Sequence, residues 1–319
     1  MSRLGRHLGK GSLGFACLLT AGVLMAGCGS STTGSAGSGG ASPKPVLSFA
    51  GLVDVGGGRK MFLACRGSGS PTVILVSGAR GAHDDWTYAA DVAHPAAEPT
   101  PSESAVFPEV ASFTRVCAYD RPGTLLMTGG PAASDPVPQP TTAQAGVADL
   151  TALLAAAHEP GPYVLVGASW GGMIVNLFAR SNRTEVSGLA FVDGASEFLK
   201  ATLTPTQWAA WQKAVLGLET AAPSGGEVPD YDSAVKEIRA APPIADVPAV
   251  VLTADKPWNL PVGDAGSTWP AWLAAQDRLA GLLHARHIMN TDSGHPIGVE
   301  QPRLVADAIR DVVDKARQH

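Results

Sequence analysis

Charge is scarce in this 319-residue chain, and positive charge is scarcer than negative. Only 16% of residues are charged, with 23 basic against 28 acidic and a formal net charge of -5. No basic face is available to neutralise a phosphate backbone, so nucleic acid is excluded as a partner. Cysteine occurs only at positions 17, 28, 65 and 117. No grouping of Cys, His and carboxylate residues has the spacing of a metal site, and no metal or other cofactor is implied. Apolar runs are short as well: the N-terminal one, Leu13 to Met25, falls below the roughly 20 residues that cross a bilayer. What the chain has in quantity is ordinary apolar content, 45%, enough for a sizeable core.

The first residues read as an address. Arg3, Arg6 and Lys10 precede the short apolar run, which is the pattern of a secretory signal. Leu24-Met25-Ala26-Gly27-Cys28 resembles the lipobox of bacterial lipoproteins, with Met25 where leucine is more usual. That resemblance implies removal of residues 1–27, lipidation of Cys28 and a protein held on the extracytoplasmic face of the cell membrane. Without Arg3, Arg6 and Lys10 the balance is 20 basic against 28 acidic residues. Residues 28–45 are rich in Gly, Ser and Thr and read as a flexible tether, which leaves 46–319 as the folded domain. Cys17 leaves with the signal and Cys28 takes the lipid, so Cys65 and Cys117 remain where disulfides persist.

Along the domain, strand-like and helix-like stretches alternate. Thr72 to Val76 is an unbroken apolar run expected of a strand buried on both faces, and it ends in the glycine loop Ser77-Gly78-Ala79-Arg80-Gly81. A short segment at 84–92 and a Pro-rich loop at 94–108 lead to the strand 115–119 and the turn Asp120-Arg121-Pro122-Gly123. Val147, Leu150, Leu153 and Leu154 fall at helical spacing after Thr141. Tyr163 to Val166 then runs into Gly167-Ala168-Ser169-Trp170-Gly171, followed by an apolar helix: strand, sharp turn, helix, with Ser169 at the apex. This is the form of a nucleophile elbow, in which flanking glycines remove Cβ atoms that would collide with neighbouring backbone. The strand 186–192 ends in Asp193, the strand 249–253 in Asp255, and the short strand 286–290 feeds the loop Ser293-Gly294-His295. Residues 196–246, with Trp208 and Trp211, read as a helical cap insertion. The alternation predicts an α/β protein with a mostly parallel, doubly wound sheet, whose ligands sit at the C-terminal strand ends.

Four stretches in order, Val73-Ile74-Leu75-Val76-Ser77-Gly78, Tyr119-Asp120-Arg121-Pro122-Gly123, Gly167-Ala168-Ser169-Trp170-Gly171-Gly172 and Ser293-Gly294-His295, resemble the α/β-hydrolase superfamily from about Leu47 to Arg317. The resemblance implies Ser169 as nucleophile and His295 as its general base. The orienting acid is Asp193, with Asp255 as the alternative; Pro257 stands where many relatives have the acid. The backbone N–H groups of Ala79 and Trp170 are the implied oxyanion hole. The family's strand crossover places the strand of Cys65 beside that of Cys117, implying a disulfide. His83, just after the glycine loop, has two readings, contact with substrate or exposure to solvent, and solvent is the expected one. The expected activity is hydrolysis of a small-molecule ester through an acyl-enzyme. A surface-anchored binding lipoprotein without catalysis, or a cofactor-free peroxidase of the same fold, are the alternatives.

Overall fold

The computed structural model describes residues 48–91, 93, 94, 96–220, 226–257 and 267–318. All of them belong to the larger of the chain's two units, 44–319. The stretch expected as a signal segment, Cys28 and the expected tether lie outside the described residues. Among the described residues no helix is long and apolar enough to cross a membrane.

Two antiparallel strands, β1 (Phe49–Gly56) and β2 (Arg59–Arg66), open the domain as a hairpin around Gly57 and Gly58, both at positive φ. Six more strands complete an eight-stranded sheet: β3 (Thr72–Val76), β6 (Val116–Tyr119), β7 (Tyr163–Ala168), β8 (Val186–Val192), β9 (Ala249–Leu252) and β10 (Arg286–Ile288). The order is β1-β2-β6-β3-β7-β8-β9-β10, parallel from β6 onward. This is the mostly parallel, doubly wound arrangement that the alternating pattern predicts. Cys65 of β2 faces Cys117 of β6 in register, and the two form a disulfide.

The core lies on both faces of the sheet, as strand alternation requires. Ile74 and Val76 of β3 and Leu165 of β7 point into one layer. Val73, Leu75, Val164 and Val166 point into the other. The first layer is closed by α2 (Ala143–Ala156), α3 (Trp170–Ser181) and α7 (Trp269–Leu282). The second is closed by α1 (Val106–Ala111) and α9 (Pro302–Ala316). Helix α2 buries Val147, Leu150, Leu153 and Leu154, and the Thr142 hydroxyl caps it by accepting from the Ala145 N–H at 3.2 Å. Helix α3 has no polar face: every residue from Trp170 to Ala179 is buried between the sheet and its neighbours.

Between β8 and β9 lie α4 (Phe198–Thr202), α5 (Pro205–Thr220) and α6 (Tyr231–Ala240), of which α6 packs on α2 and α3. The stretch expected as a Pro-rich loop is more ordered than its composition suggests. It carries β5 (Thr100–Pro101), paired with β4 (Tyr88–Ala89), and the first turn of α1, where Pro108 forfeits only an N–H that has no intrahelical partner. The segment from Asp84 is a short 3-10 turn, His83–Trp86, followed by β4.

Candidate active site

Ser169 joins β7 to α3 with φ 46° and ψ -120°, a backbone conformation that costs energy for a residue with a side chain. The surrounding glycines make the turn feasible. A Cβ on Gly171 would stand 2.2 Å from the Val76 carbonyl oxygen, and one on Gly167 would stand 2.6 Å from Val175 Cγ2. The β3 loop also crosses directly over the serine: a Cβ on Gly78 would lie 3.1 Å from Ser169 Cβ.

Asp193 follows β8, again at positive φ (44°), and is fully buried. Its Oδ2 lies 2.6 Å from His295 Nδ1. Its Oδ1 accepts from the Trp272 indole N–H at 2.9 Å and from the Ala254 backbone N–H at 3.1 Å. Trp272 also meets the His295 ring edge-on at 5.8 Å. The carboxylate therefore has three donors and no contact with bulk water.

Asp255 is placed elsewhere. It is exposed, and its two oxygens accept from the backbone N–H groups of Asp292 and Ser293, each at 2.9 Å. Partial burial works against its charge, but those two donors prevail and its pKa lies below the ordinary carboxylate value. It thus fastens the loop that carries His295. Glu300 fastens the same loop from α8 (Ile297–Glu300), accepting from the Ser293 hydroxyl at 2.8 Å and the Gly294 N–H at 2.9 Å. Asp292 pairs with Lys256 at 2.7 Å.

The glycine loop after β3 is held by a buried ion pair. Arg121, at the end of β6, donates from Nη1 to the Ser77 carbonyl at 3.0 Å and from Nη2 to the Gly78 carbonyl at 2.6 Å. It pairs with Glu227 through Nε to Oε1 (2.6 Å) and Nη2 to Oε2 (2.9 Å). Burial alone would weaken the guanidinium's hold on its proton, yet the adjacent Glu227 carboxylate outweighs it and the Arg121 pKa is raised. His83 is only partly in solvent, its side chain 21% exposed: its Nδ1 lies 2.7 Å from Asp120 Oδ1 and its ring lies 4.5 Å from that of Phe62. The expectation missed that Asp120, at the end of β6, sits beside the loop and offers His83 a buried acceptor.

Ser169 and His295 both border two cavities, of about 910 Å³ and about 540 Å³. The smaller one is mostly apolar, walled by Leu125, Met127, Trp211, Val215, Tyr231 and Trp272, with Arg80 and Asp85 also on its lining. Trp208 lies behind that wall, stacked on Trp211 at 5.2 Å. Asp85 borders both cavities, and burial, then the neighbouring Asp84 charge, push its carboxyl up to about 7. Ala79 also lines both.

Asp85, Trp272, Glu300 and Glu227 have no local sequence signal that points to the site. Trp272 is one tryptophan among seven, Glu227 lies more than 100 residues from the turn and the loop it ties, and Asp85 and Glu300 are single carboxylates that belong to no motif. Arg121 lies in the Asp-Arg-Pro-Gly turn that the sequence does flag.

The alpha/beta hydrolase family matches residues 73–308 of the chain. Among curated proteins, an uncharacterised protein of Schizosaccharomyces pombe is 39% identical over 94 residues, 30% of this chain and 16% of its own length. The chain thus spans about a sixth of that relative. Among solved structures, a predicted CIB-like hydrolase from Thermoplasma acidophilum superposes with a TM-score of 0.53 at 16% identity, over 86% of this chain and 100% of the other. An N-acyl homoserine lactone degrading enzyme gives 0.54 at 17% identity, over 82% and 100%. The thioesterase domain from the curacin biosynthetic pathway gives 0.52 at 16% identity, over 83% and 99%. At these identities the likeness is one of fold.

Proposed function

The chain belongs to the alpha/beta hydrolase family, and from that premise we propose that it is a serine hydrolase that cleaves carboxylic esters and works at the outer face of a membrane. The observation that carries the reading is the 2.6 Å contact between His295 Nδ1 and the buried, fully partnered Asp193. An acceptor at Nδ1 keeps the proton there and leaves Nε2 unprotonated, the form that acts as base. Asp193 is accordingly the acid of choice, and Asp255, whose oxygens are both engaged by backbone, is a loop-fastening residue.

In this reading Ser169 Oγ adds to the ester carbonyl carbon while its proton passes to His295 Nε2. The carbonyl oxygen becomes an oxyanion, received by the N–H groups of Trp170 and Ala79, neither of which is taken by an acceptor among the described residues. Collapse breaks the bond to the alkoxy oxygen, which leaves as the alcohol with the proton from His295. Water then repeats the sequence on the acyl-enzyme, losing its proton to His295 and releasing the acid and Ser169. The mostly apolar 540 Å³ cavity suits a hydrocarbon acyl or alkyl group.

Cys28 in its lipobox-like setting supports a lipid anchor, with residues 28–45 as the tether. A panel of p-nitrophenyl esters tests the activity: hydrolysis by the wild type and its loss in Ser169→Ala support the reading, and equal rates in the two proteins refute it.

A further inference from the structure

We propose that the buried Arg121–Glu227 pair is a positioning device that sets the direction of the Ala79 N–H toward the reacting carbonyl oxygen; this rests on the hydrolase reading above.

The N–H of Ala79 and the C=O of Gly78 belong to one plane and, in a trans unit, point in opposite directions. No cis bond occurs between Gly78 and Ala79. Arg121 Nη2 holds the Gly78 oxygen at 2.6 Å, and the Gly81 N–H holds the same oxygen at 3.1 Å. With the carbonyl fixed toward the buried Arg121, the Ala79 N–H is fixed the other way, in a loop that passes over Ser169, whose Cβ lies 3.1 Å from where a Gly78 Cβ would be. The next peptide unit is held as well: the Arg80 N–H donates to Glu227 Oε2 at 2.6 Å. Arg80 stands at φ 64°, so the loop is not held by regular secondary structure. Both peptide units that flank Ala79 are thus tied to one ion pair.

The pair is also costly to bury. Arg121 is 3% and Glu227 1% exposed, and a buried pair of charges is on balance seldom a gain in stability over apolar residues of the same size. Its bonds to Ser77, Gly78 and Arg80 give it a purpose that packing does not. Glu227 comes from the segment between β8 and β9 and is itself fixed by its N–H to the Gly123 carbonyl at 2.8 Å. The inserted segment therefore reaches into the oxyanion loop, and its placement governs whether the N–H is aimed.

The test uses the full-length protein in detergent, with Glu227→Gln and Arg121→Lys. Three readouts are taken: ester hydrolysis, inhibition by an alkyl trifluoromethyl ketone, which forms a tetrahedral oxyanion on the serine, and inhibition by the methyl ketone of the same chain length, which does not. A misaimed donor predicts a kcat lower by about ten- to a hundredfold with KM within about threefold. Trifluoromethyl ketone affinity weakens in step with kcat/KM, while methyl ketone affinity is unchanged. Should a single variant not fold, Arg121→Met with Glu227→Leu removes both charges together and is expected to show the same losses. Variants that keep more than half of the wild-type kcat, or that lose both ketones equally, overturn the proposal. A wild type that neither cleaves the ester nor binds the trifluoromethyl ketone overturns the hydrolase reading and the clamp with it, a result distinct from active wild type beside unaffected variants.

Discussion

Replacing Asp193 by asparagine exchanges one carboxylate oxygen for an NH2 group, and the surroundings decide where that group goes. One side of the side chain receives two donors, the Trp272 indole N–H at 2.9 Å and the Ala254 N–H at 3.1 Å. The other receives His295 Nδ1 at 2.6 Å. An NH2 facing Trp272 and Ala254 would set donors against donors, so the amide oxygen stays there and the NH2 turns to His295. His295 then has to accept at Nδ1, which moves its proton to Nε2, the atom needed as base. The wrong tautomer lowers kcat by about 10³- to 10⁴-fold, or about 4–5.5 kcal/mol of barrier. Asp255→Asn is the matched control: its amide oxygen keeps one of the two backbone N–H groups while its NH2 faces the other, which loosens an exposed loop contact without changing the His295 tautomer, and the expected loss is under about tenfold, below about 1.4 kcal/mol. The assay is kcat for a p-nitrophenyl ester with both variants verified as folded by circular dichroism. A larger loss in Asp255→Asn, or more than a tenth of wild-type kcat in Asp193→Asn, refutes the assignment.

Two further predictions concern other residues. Asp85 carries a folded-state pKa of about 7 against an ordinary 3.8, so its protonated form favours the fold: the contribution is complete below about pH 4 and is lost by about pH 7, with a slope of at most about 1.4 kcal/mol per pH unit. Melting temperatures of wild type and Asp85→Asn should converge at the acid end and separate above neutrality, with the variant higher; parallel curves contradict this. Cys28→Ala should move the protein from the membrane fraction to the soluble fraction, and continued membrane association contradicts lipid anchoring.

The parts of the site that are legible in the sequence are those built from local backbone demands. The elbow announces itself because a strained serine needs Gly167 and Gly171 within two residues, and the contacts at 2.6 and 2.2 Å show why nothing larger fits. The strand ends are legible because apolar runs stop at them. The choice between Asp193 and Asp255 is not, since both follow strands and only the third dimension shows that one meets His295 and the other meets the backbone of Asp292 and Ser293. Trp272 and Glu227 are less legible still. Trp272 bonds Asp193, 79 positions away, and Glu227 pairs with Arg121, 106 positions away, and neither contact leaves a periodicity behind. His83 is a case of the same kind: solvent was the expectation, and Asp120 of a distant strand end supplied a partner.

The central claim is that Ser169 is a nucleophile activated by His295. Its most direct test is labelling of the full-length protein with a fluorophosphonate, followed by mass spectrometry of the modified peptide. One phosphonyl group per chain, carried on Ser169, and none in Ser169→Ala or His295→Ala, is the expected result. Absence of label on folded wild type, or undiminished labelling of Ser169→Ala, contradicts it.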